Sequence, residues 1–247
     1  MKLSVVGIGP GHAEGMTGAA RAALAACDLI CGYTAYIALV RPLFPDKDYF
    51  STPMKSETER CRAALKAAET QNVAMVCSGD AGVYGMAGLI YELWADADSE
   101  GRPPVEIEVI PGVTAAQSGA ALLGAPLMQD YAVVSLSDLL VDWAVIEKRL
   151  NGAGMGDFAV VLYNPGSHKR VEHLRRACDI LLQYRGGDTL CGVAENIGRE
   201  GEAARLMPLA QLRDLSAGMF CTVFVGNSRT VALGGRMVAL RGYEAKR

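Results

Sequence analysis

Short apolar runs rich in β-branched residues alternate along the chain with alanine- and leucine-rich stretches patterned at helical spacing. The runs at 3–8, 29–31, 73–77, 106–110 and 132–135 predict strands, and the stretches at 17–26, 56–69, 83–95 and 113–123 predict helices. Ser56 followed by Glu59 reads as a capping box opening the second of those helices. Alternation of this kind builds βαβ units around a mainly parallel sheet. The pattern restarts after residues 137–143 and a glycine-rich segment at 151–157. New strands are expected at 159–163, 190–194, 220–225 and 236–240, and helices at 143–150 and 169–183. The expected fold class is therefore α/β, with two αβα domains built on mainly parallel sheets. The junction falls between about 125 and 140, giving domains 1–128 and 129–247. Residues 96–104 read as a polar surface loop.

Composition narrows the function classes. Twenty-four basic residues against 27 acidic give a net charge of −3, so no basic face for nucleic acid is expected. No apolar run approaches the ~18 residues of a membrane span. The opening Lys2 leads into a run that Gly9-Pro10-Gly11 interrupts, unlike a signal peptide, and a cytoplasmic location is expected. Seven cysteines, with no CxxC pair, read as buried free thiols. No metal site is expected: among three histidines, His168 and His173 stand five apart, off one helical face.

The first strand runs into Gly7, Gly9 and Gly11, a start typical of nucleotide-binding proteins. Known phosphate loops fit it badly. His12 stands where a dinucleotide fingerprint needs its third glycine, and Pro10 lacks the amide hydrogen that a pyrophosphate loop aims at its ligand. Asp28 begins the second strand, where a ribose-binding acid should end it. In a P-loop alignment Met16 replaces the lysine. Further loops follow other strands: Ser78–Gly88, with Asp80 at its head and glycines at 79, 82, 85 and 88; Pro111-Gly112-Val113-Thr114; Asn164-Pro165-Gly166; and 194–202. Ser167 is expected to cap a helix whose first turn holds His168, Lys169 and Arg170. Basic groups there oppose the helix dipole and point to an anionic ligand.

Taken in order, the segments VGIGPG, SGDAGVYG, PGVTAA, YNP and AEN resemble the tetrapyrrole methylase family, the S-adenosylmethionine-dependent enzymes of corrin and sirohaem synthesis. The resemblance covers nearly the whole chain. It implies two αβα domains, an active site in the cleft between them, and S-adenosylmethionine held there largely by backbone. By motif it places Pro10, Ser78, Gly79, Asp80, Val83, Thr114 and Ala115 at the cofactor from the first domain, and Asn164, Asn196 and Thr222 from the second. Asp80 is alternatively a turn-capping aspartate. The resemblance departs at Gln129-Asp130, where relatives read His-Asp. It further implies a homodimer.

The resemblance implies methylation of a trimethylated precorrin, a macrocycle bearing many carboxylates, at ring carbon 17 with ring contraction; the equivalent cobalt-containing intermediate is the alternative substrate. Lys55, Lys169, Arg170 and Arg199 are the candidate cations for those carboxylates. Ring chemistry coupled to the methylation needs proton movement, for which Tyr33, Tyr36, Lys55, Ser137 and Asp138 are chemically able. Ser137 and Asp138 read equally well as a cap for a helix at 139–140. Two competing readings remain: a nucleotide-dependent oxidoreductase built on the first glycine turn, and a tetrapyrrole carrier without turnover.

Overall fold

A computed structural model describes residues 1–98, 105–167 and 170–243. The chain divides into two compact units, Met1–Ala115 and Ala116–Arg247.

In the first unit, β1 (Lys2–Gly7), α1 (Gly18–Ala26), β2 (Leu29–Tyr33), α2 (Thr34–Val40), β3 (Asp48–Thr52), α3 (Glu57–Ala67), β4 (Val73–Cys77), α4 (Ala87–Asp98) and β5 (Glu106–Ile110) follow one another. The five strands form one sheet in the order β3-β2-β4-β1-β5, and every pairing in it is parallel. Strands buried on both faces should be continuously apolar, and β4 reads Val-Ala-Met-Val-Cys with every residue buried. Val5 and Met75 pack on one face with Cys61 and Ala64 of α3 and Ile90 of α4. Val6 and Ala74 pack on the other with Leu24 of α1 and Ile37 of α2. The sheet is thus covered by helices on both sides, the doubly wound arrangement.

The elements α5 (Ala115–Leu123), β6 (Gly124–Ala125), β7 (Tyr131–Ser135), α6 (Trp143–Met155), β8 (Ala159–Tyr163), α7 (His173–Leu181), β9 (Leu190–Glu195), β10 (Ala203–Pro208), α8 (Leu209–Leu212), β11 (Cys221–Val225), β12 (Thr230–Leu233) and β13 (Arg236–Ala239) complete the chain. Strands β10-β9-β11-β8-β7 form the main sheet of the second unit. Helix α7 buries Leu174, Ala177, Cys178 and Leu181, a one-sided stripe that packs with α6 and α8 on one face of that sheet. On the opposite face α5 lies so close that a β-carbon at Gly119 would meet the Phe224 ring at 2.9 Å, and one at Gly192 would meet Leu123 Cδ1 at 2.6 Å. Strands β12, β13 and β6 form a separate small sheet.

The α/β class and the layered two-unit architecture agree with the sequence reading. The second sheet differs in direction: only β7 and β8 pair in parallel, while β10-β9, β9-β11 and β11-β8 are antiparallel. The reason is local. The connection from β9 to β10, residues 196–202, contains no helix, and so short a link joins antiparallel neighbours. Residues 116–128, grouped with the first half from sequence, supply α5 and β6, and β6 pairs with β13. The capping box at Ser56 does not form: its side chain makes no cap hydrogen bond, and Glu57 accepts from the Lys55 amide instead. The helix expected from residue 83 begins at Ala87, and α7 begins at His173 rather than 169. Ser167 does not cap it; Ser167 and Arg170 close a tight turn, each amide donating to the other's carbonyl. His168 and Lys169, expected in the basic first turn of a helix, lie outside the described residues. The polar loop expected at 96–104 is helical as far as Asp98, and the rest lies outside the described residues. Helix α2 and strands β3, β10 and β12, too short or too polar to show periodicity, were not expected.

The fit between α5 and the sheet makes Gly192→Val an overpacking change. It should lower the unfolding free energy by about 1–3 kcal/mol, read as a lower urea midpoint with an unchanged slope.

Candidate functional site

The parallel sheet of the first unit brings the carboxyl ends of its strands, at Gly7, Tyr33, Thr52, Cys77 and Ile110, to one edge, where α/β sheets bind ligands. Three loops meet there with almost no side chain between them. Gly9 and Gly79 exchange amide-to-carbonyl hydrogen bonds of 3.0 and 2.8 Å. A β-carbon on Gly112 would lie 2.1 Å from the Gly79 carbonyl oxygen, and one on Gly7 would lie 2.7 Å from the Gly112 nitrogen. Both obstacles are backbone, so only glycine permits the approach. Asp80 joins the loops: Oδ1 accepts from the Gly82 amide at 2.8 Å and Oδ2 from the Gly112 amide at 2.9 Å. The turn-capping role is thus what its two bonds perform. His12, which spoiled the dinucleotide fingerprint, accepts from the Gly15 amide at 2.8 Å and closes a single 3₁₀ turn.

Pro10, Ser78, Gly79, Asp80, Thr114 and Ala115 are all carried by these three loops, and Val83 is partly exposed further along the second. Loop residues 7–16, 78–86 and 111–115 contain no lysine or arginine, but they do contain Asp80 and Glu14. The loops thus offer a ligand main-chain groups and no cationic side chain.

Tyr33 ends β2, its ring edge-on to Tyr36 at 5.2 Å. Lys55 is exposed, at a φ of 71°. Sequence reasoning missed Arg60, which is 4% exposed on α3. Its Nη1 donates to Thr52 Oγ1 at 2.5 Å. The signal was present: Arg60 occupies the helical face that Cys61, Ala64 and Leu65 bury.

In the second unit, Ser137 and Asn164 follow β7 and β8, Asn196 follows β9, and Thr222 is the second residue of β11. Because β11 runs opposite to β8 and β9, all four lie at one edge of the sheet. Asn164 Nδ2 donates to Ser135 Oγ at 2.9 Å, and the Ala116 amide donates to the Tyr163 hydroxyl at 2.8 Å. Asn196 Nδ2 donates to the Gly201 carbonyl at 3.2 Å, and Thr222 is buried. The Arg199 guanidinium lies 4.6 Å from the centre of the Phe220 ring. Lys169 is outside the described residues. Gln129 Nε2 donates to the Leu240 carbonyl at 2.6 Å. No helix starts at 139–140, so Ser137 and Asp138 cap none. Asp138 Oδ2 instead stands 3.0 Å from Nε2 of His173, whose ring is edge-on to Trp143. The His173 imidazole holds the Asp138 carboxyl below its ordinary range, with Arg170 adding to the effect. His173 carries no local sequence signal, because its partner Asp138 lies on a distant segment.

Among the described residues, five non-glycine residues have positive φ: Lys55, Tyr84, Asp157, Asn164 and Asn196. Three of these are expected site residues, and such strain, of order 1–3 kcal/mol each, collects at ligand sites. All seven cysteines are buried and free, and burial raises the Cys77 thiol to about 11. Among the described residues no group of three or more metal-binding side chains occurs, and no helix is long and apolar enough to cross a membrane.

Hydrogen bonds to a charged acceptor contribute about 1.5–3 kcal/mol each. Asp80→Ala should therefore lower stability by about 3 kcal/mol in urea unfolding, and Asp80→Asn by roughly half of that. For Asp138, a carboxyl depressed on folding contributes stability above its unfolded value, and loses it as pH falls through the folded one. In a carboxyl-carbon NMR titration, His173→Phe should move the Asp138 midpoint upward.

The sequence profile of the tetrapyrrole (corrin/porphyrin) methylases matches residues 2–213. The chain is 45% identical over 242 residues to a protein from Salmonella typhimurium named probable cobalt-factor III C(17)-methyltransferase, covering 98% of this chain and 99% of that one. It spans only about half the length of some other curated relatives. The crystal structure of the methyltransferase CobJ superposes with a TM-score of 0.88 at 34% identity, covering 97% of this chain and 99% of that one. A uroporphyrin-III C-methyltransferase from Thermus thermophilus, complexed with S-adenyl homocysteine, shares the fold at a TM-score of 0.68 and 20% identity, covering 92% of this chain and 97% of that one. The chain belongs to the tetrapyrrole (corrin/porphyrin) methylases.

Proposed function

We propose that the protein transfers a methyl group from S-adenosylmethionine to carbon 17 of a trimethylated corrin precursor, with ring contraction, in cobalamin biosynthesis. The observation that carries this is the glycine platform of the first unit: three loops in backbone contact, free of lysine and arginine, with acidic groups among them. A sulfonium donor is a cation without a phosphate, and this is the surface it needs. Pro10, Ser78, Gly79, Asp80, Val83, Thr114 and Ala115 are the residues we assign to the donor, with Asn164, Asn196 and Thr222 as further contacts. The donor supplies the methyl group when bound. The protein's contribution to that step is placement, and orientation of reacting groups can supply up to roughly 7–11 kcal/mol of a barrier.

The ring contraction needs proton transfer. A carboxyl held as the anion, like Asp138, is a weak base but a good orienting partner for an imidazole. We therefore add His173 to Tyr33, Lys55, Ser137 and Asp138 as the groups proposed for proton movement. Lys55, Lys169, Arg170 and Arg199 stay as proposed partners of peripheral carboxylates.

Of the two macrocycles that suit this chemistry, the cobalt-containing factor III is favoured over metal-free precorrin-3B by the name and full-length coverage of the Salmonella relative. We further propose a cytoplasmic homodimer, for which light scattering should return twice the chain mass.

Pure protein incubated with S-adenosylmethionine and either macrocycle should release S-adenosylhomocysteine over many turnovers, faster with cobalt-factor III. One equivalent and no more would identify a carrier. Tight NAD binding without S-adenosylmethionine binding would identify an oxidoreductase. Faster turnover of precorrin-3B would reverse the substrate assignment.

A further inference from the structure

A small cavity opens in the first unit beside the ends of β2, β3 and β4 and reaches Ser78, a residue assigned above to the donor. Its volume is about 120 Å³, and Tyr33, Tyr36, Met54, Glu57, Arg60 and Tyr84 line it. Sites for whole cofactors measure about 300–1,000 Å³, so this one is too small for a macrocycle or a nucleoside. At about 30 Å³ per water it holds the equivalent of roughly four waters, which is the scale of one short side arm.

The chemistry of the walls is specific. Arg60 is 4% exposed, a burial that charged residues rarely reach without compensation. All its hydrogen bonds run through one nitrogen: Nη1 donates to Thr52 Oγ1 at 2.5 Å and to the carbonyls of Pro53 and Thr52 at 3.3 and 3.5 Å. Among the described residues, Nε and Nη2 have no hydrogen-bond acceptor. The nearest carboxylate oxygen to Nη2 is Glu57 Oε1 at 4.0 Å, and that oxygen already accepts from the Lys55 amide at 3.1 Å. The guanidinium is thus fastened by one corner, with a two-nitrogen edge left over, the fork that binds carboxylates in bidentate fashion. Around it, three tyrosine rings, Met54 and Val76 provide apolar walls for methylene groups. Lys55 and Tyr84, two of the described non-glycine residues with positive φ, belong to the segments that form these walls.

We propose that this cavity binds one carboxylate-bearing arm of the tetrapyrrole substrate, with Arg60 as the cation that receives it. The inference rests on the methyltransferase function proposed above and adds to it a specificity site. A carboxylate within hydrogen-bonding distance of Nε and Nη2 outcompetes Glu57 at 4.0 Å. The loop 52–60, folded around Arg60, is the frame that holds the guanidinium in place. The methionine portion of the donor also carries a carboxylate, so the test separates the two sources.

The test compares wild type, Arg60→Met and Arg60→Lys, each checked for folding by circular dichroism. S-adenosylhomocysteine affinity is measured by calorimetry, and the affinity for the natural macrocycle is compared with that for its peripheral methyl esters. The expected result is that wild type prefers the acid, and that Arg60→Met raises the KM for the acid at least tenfold and narrows the acid–ester gap. The kcat and S-adenosylhomocysteine affinity should stay within about twofold, and Arg60→Lys should recover part of the loss. Should Arg60→Met fail to fold, Met54→Trp fills the same cavity from its partly exposed rim without touching the Arg60 bonds, and should produce the same rise in KM. An acid–ester gap unchanged in the variants overturns the inference. So does a loss confined to S-adenosylhomocysteine, which would make the cavity part of the donor site. A wild type that binds S-adenosylhomocysteine but no carboxylated tetrapyrrole overturns the function itself, a result distinct from either.

Discussion

The approach of three peptide segments at the ends of β1, β4 and β5 is the constraint on which the rest of the first unit depends. Gly7, Gly79 and Gly112 come together at distances a β-carbon would block, and Asp80, braced by the Gly82 amide of its own loop, ties that approach through the Gly112 amide. The parallel sheet beneath sets the register: Gly7 lies level with Cys77, and Val6 with Ile110. Sheet order therefore determines which loops meet, and glycine determines how closely. The result is a surface made of main chain, with no lysine or arginine in its loops.

The same edge carries a second kind of surface a few residues away. At β2 and β3 the chain uses side chains rather than glycine: Arg60 buried against Thr52, with tyrosines around it. A cationic donor and an anionic substrate make opposite electrostatic demands. This unit sets the two chemistries side by side, the glycine contact with Asp80 at the ends of β1, β4 and β5 and the buried Arg60 beside β2 and β3, and the end of β4 borders both. The net charge of −3 is silent about this arrangement, because it averages over both.

Most of the fold was legible where a pattern was long enough to have a period. The strands at 3–8 and 73–77 and the helix at 17–26 were read within a residue or two. What escaped was short or governed by tertiary context. Strand β3, Asp-Tyr-Phe-Ser-Thr, carries too few apolar residues to declare itself, yet it pairs along its whole length with β2. The direction of β9 and β10 depended on a loop without a helix, which alternation alone does not reveal. In the site, glycine loops and strand-end asparagines stood out because their composition is unusual for core. Arg60 and His173 did not, since a single charged residue on a helix reads as surface until its burial is seen. Arg60 was recoverable from its register among Cys61, Ala64 and Leu65. The tie between His173 and Asp138 joins residues 35 positions apart, and no local pattern encodes it.

A crystal structure with S-adenosylhomocysteine tests the central claim most directly. The account predicts the nucleoside and sulfur lying against the backbone of residues 9–10, 78–80 and 112–115, with no lysine or arginine touching the sulfur. Density for the ligand elsewhere on the first unit, or a displacement of Gly112 from Gly79 on binding, would contradict it.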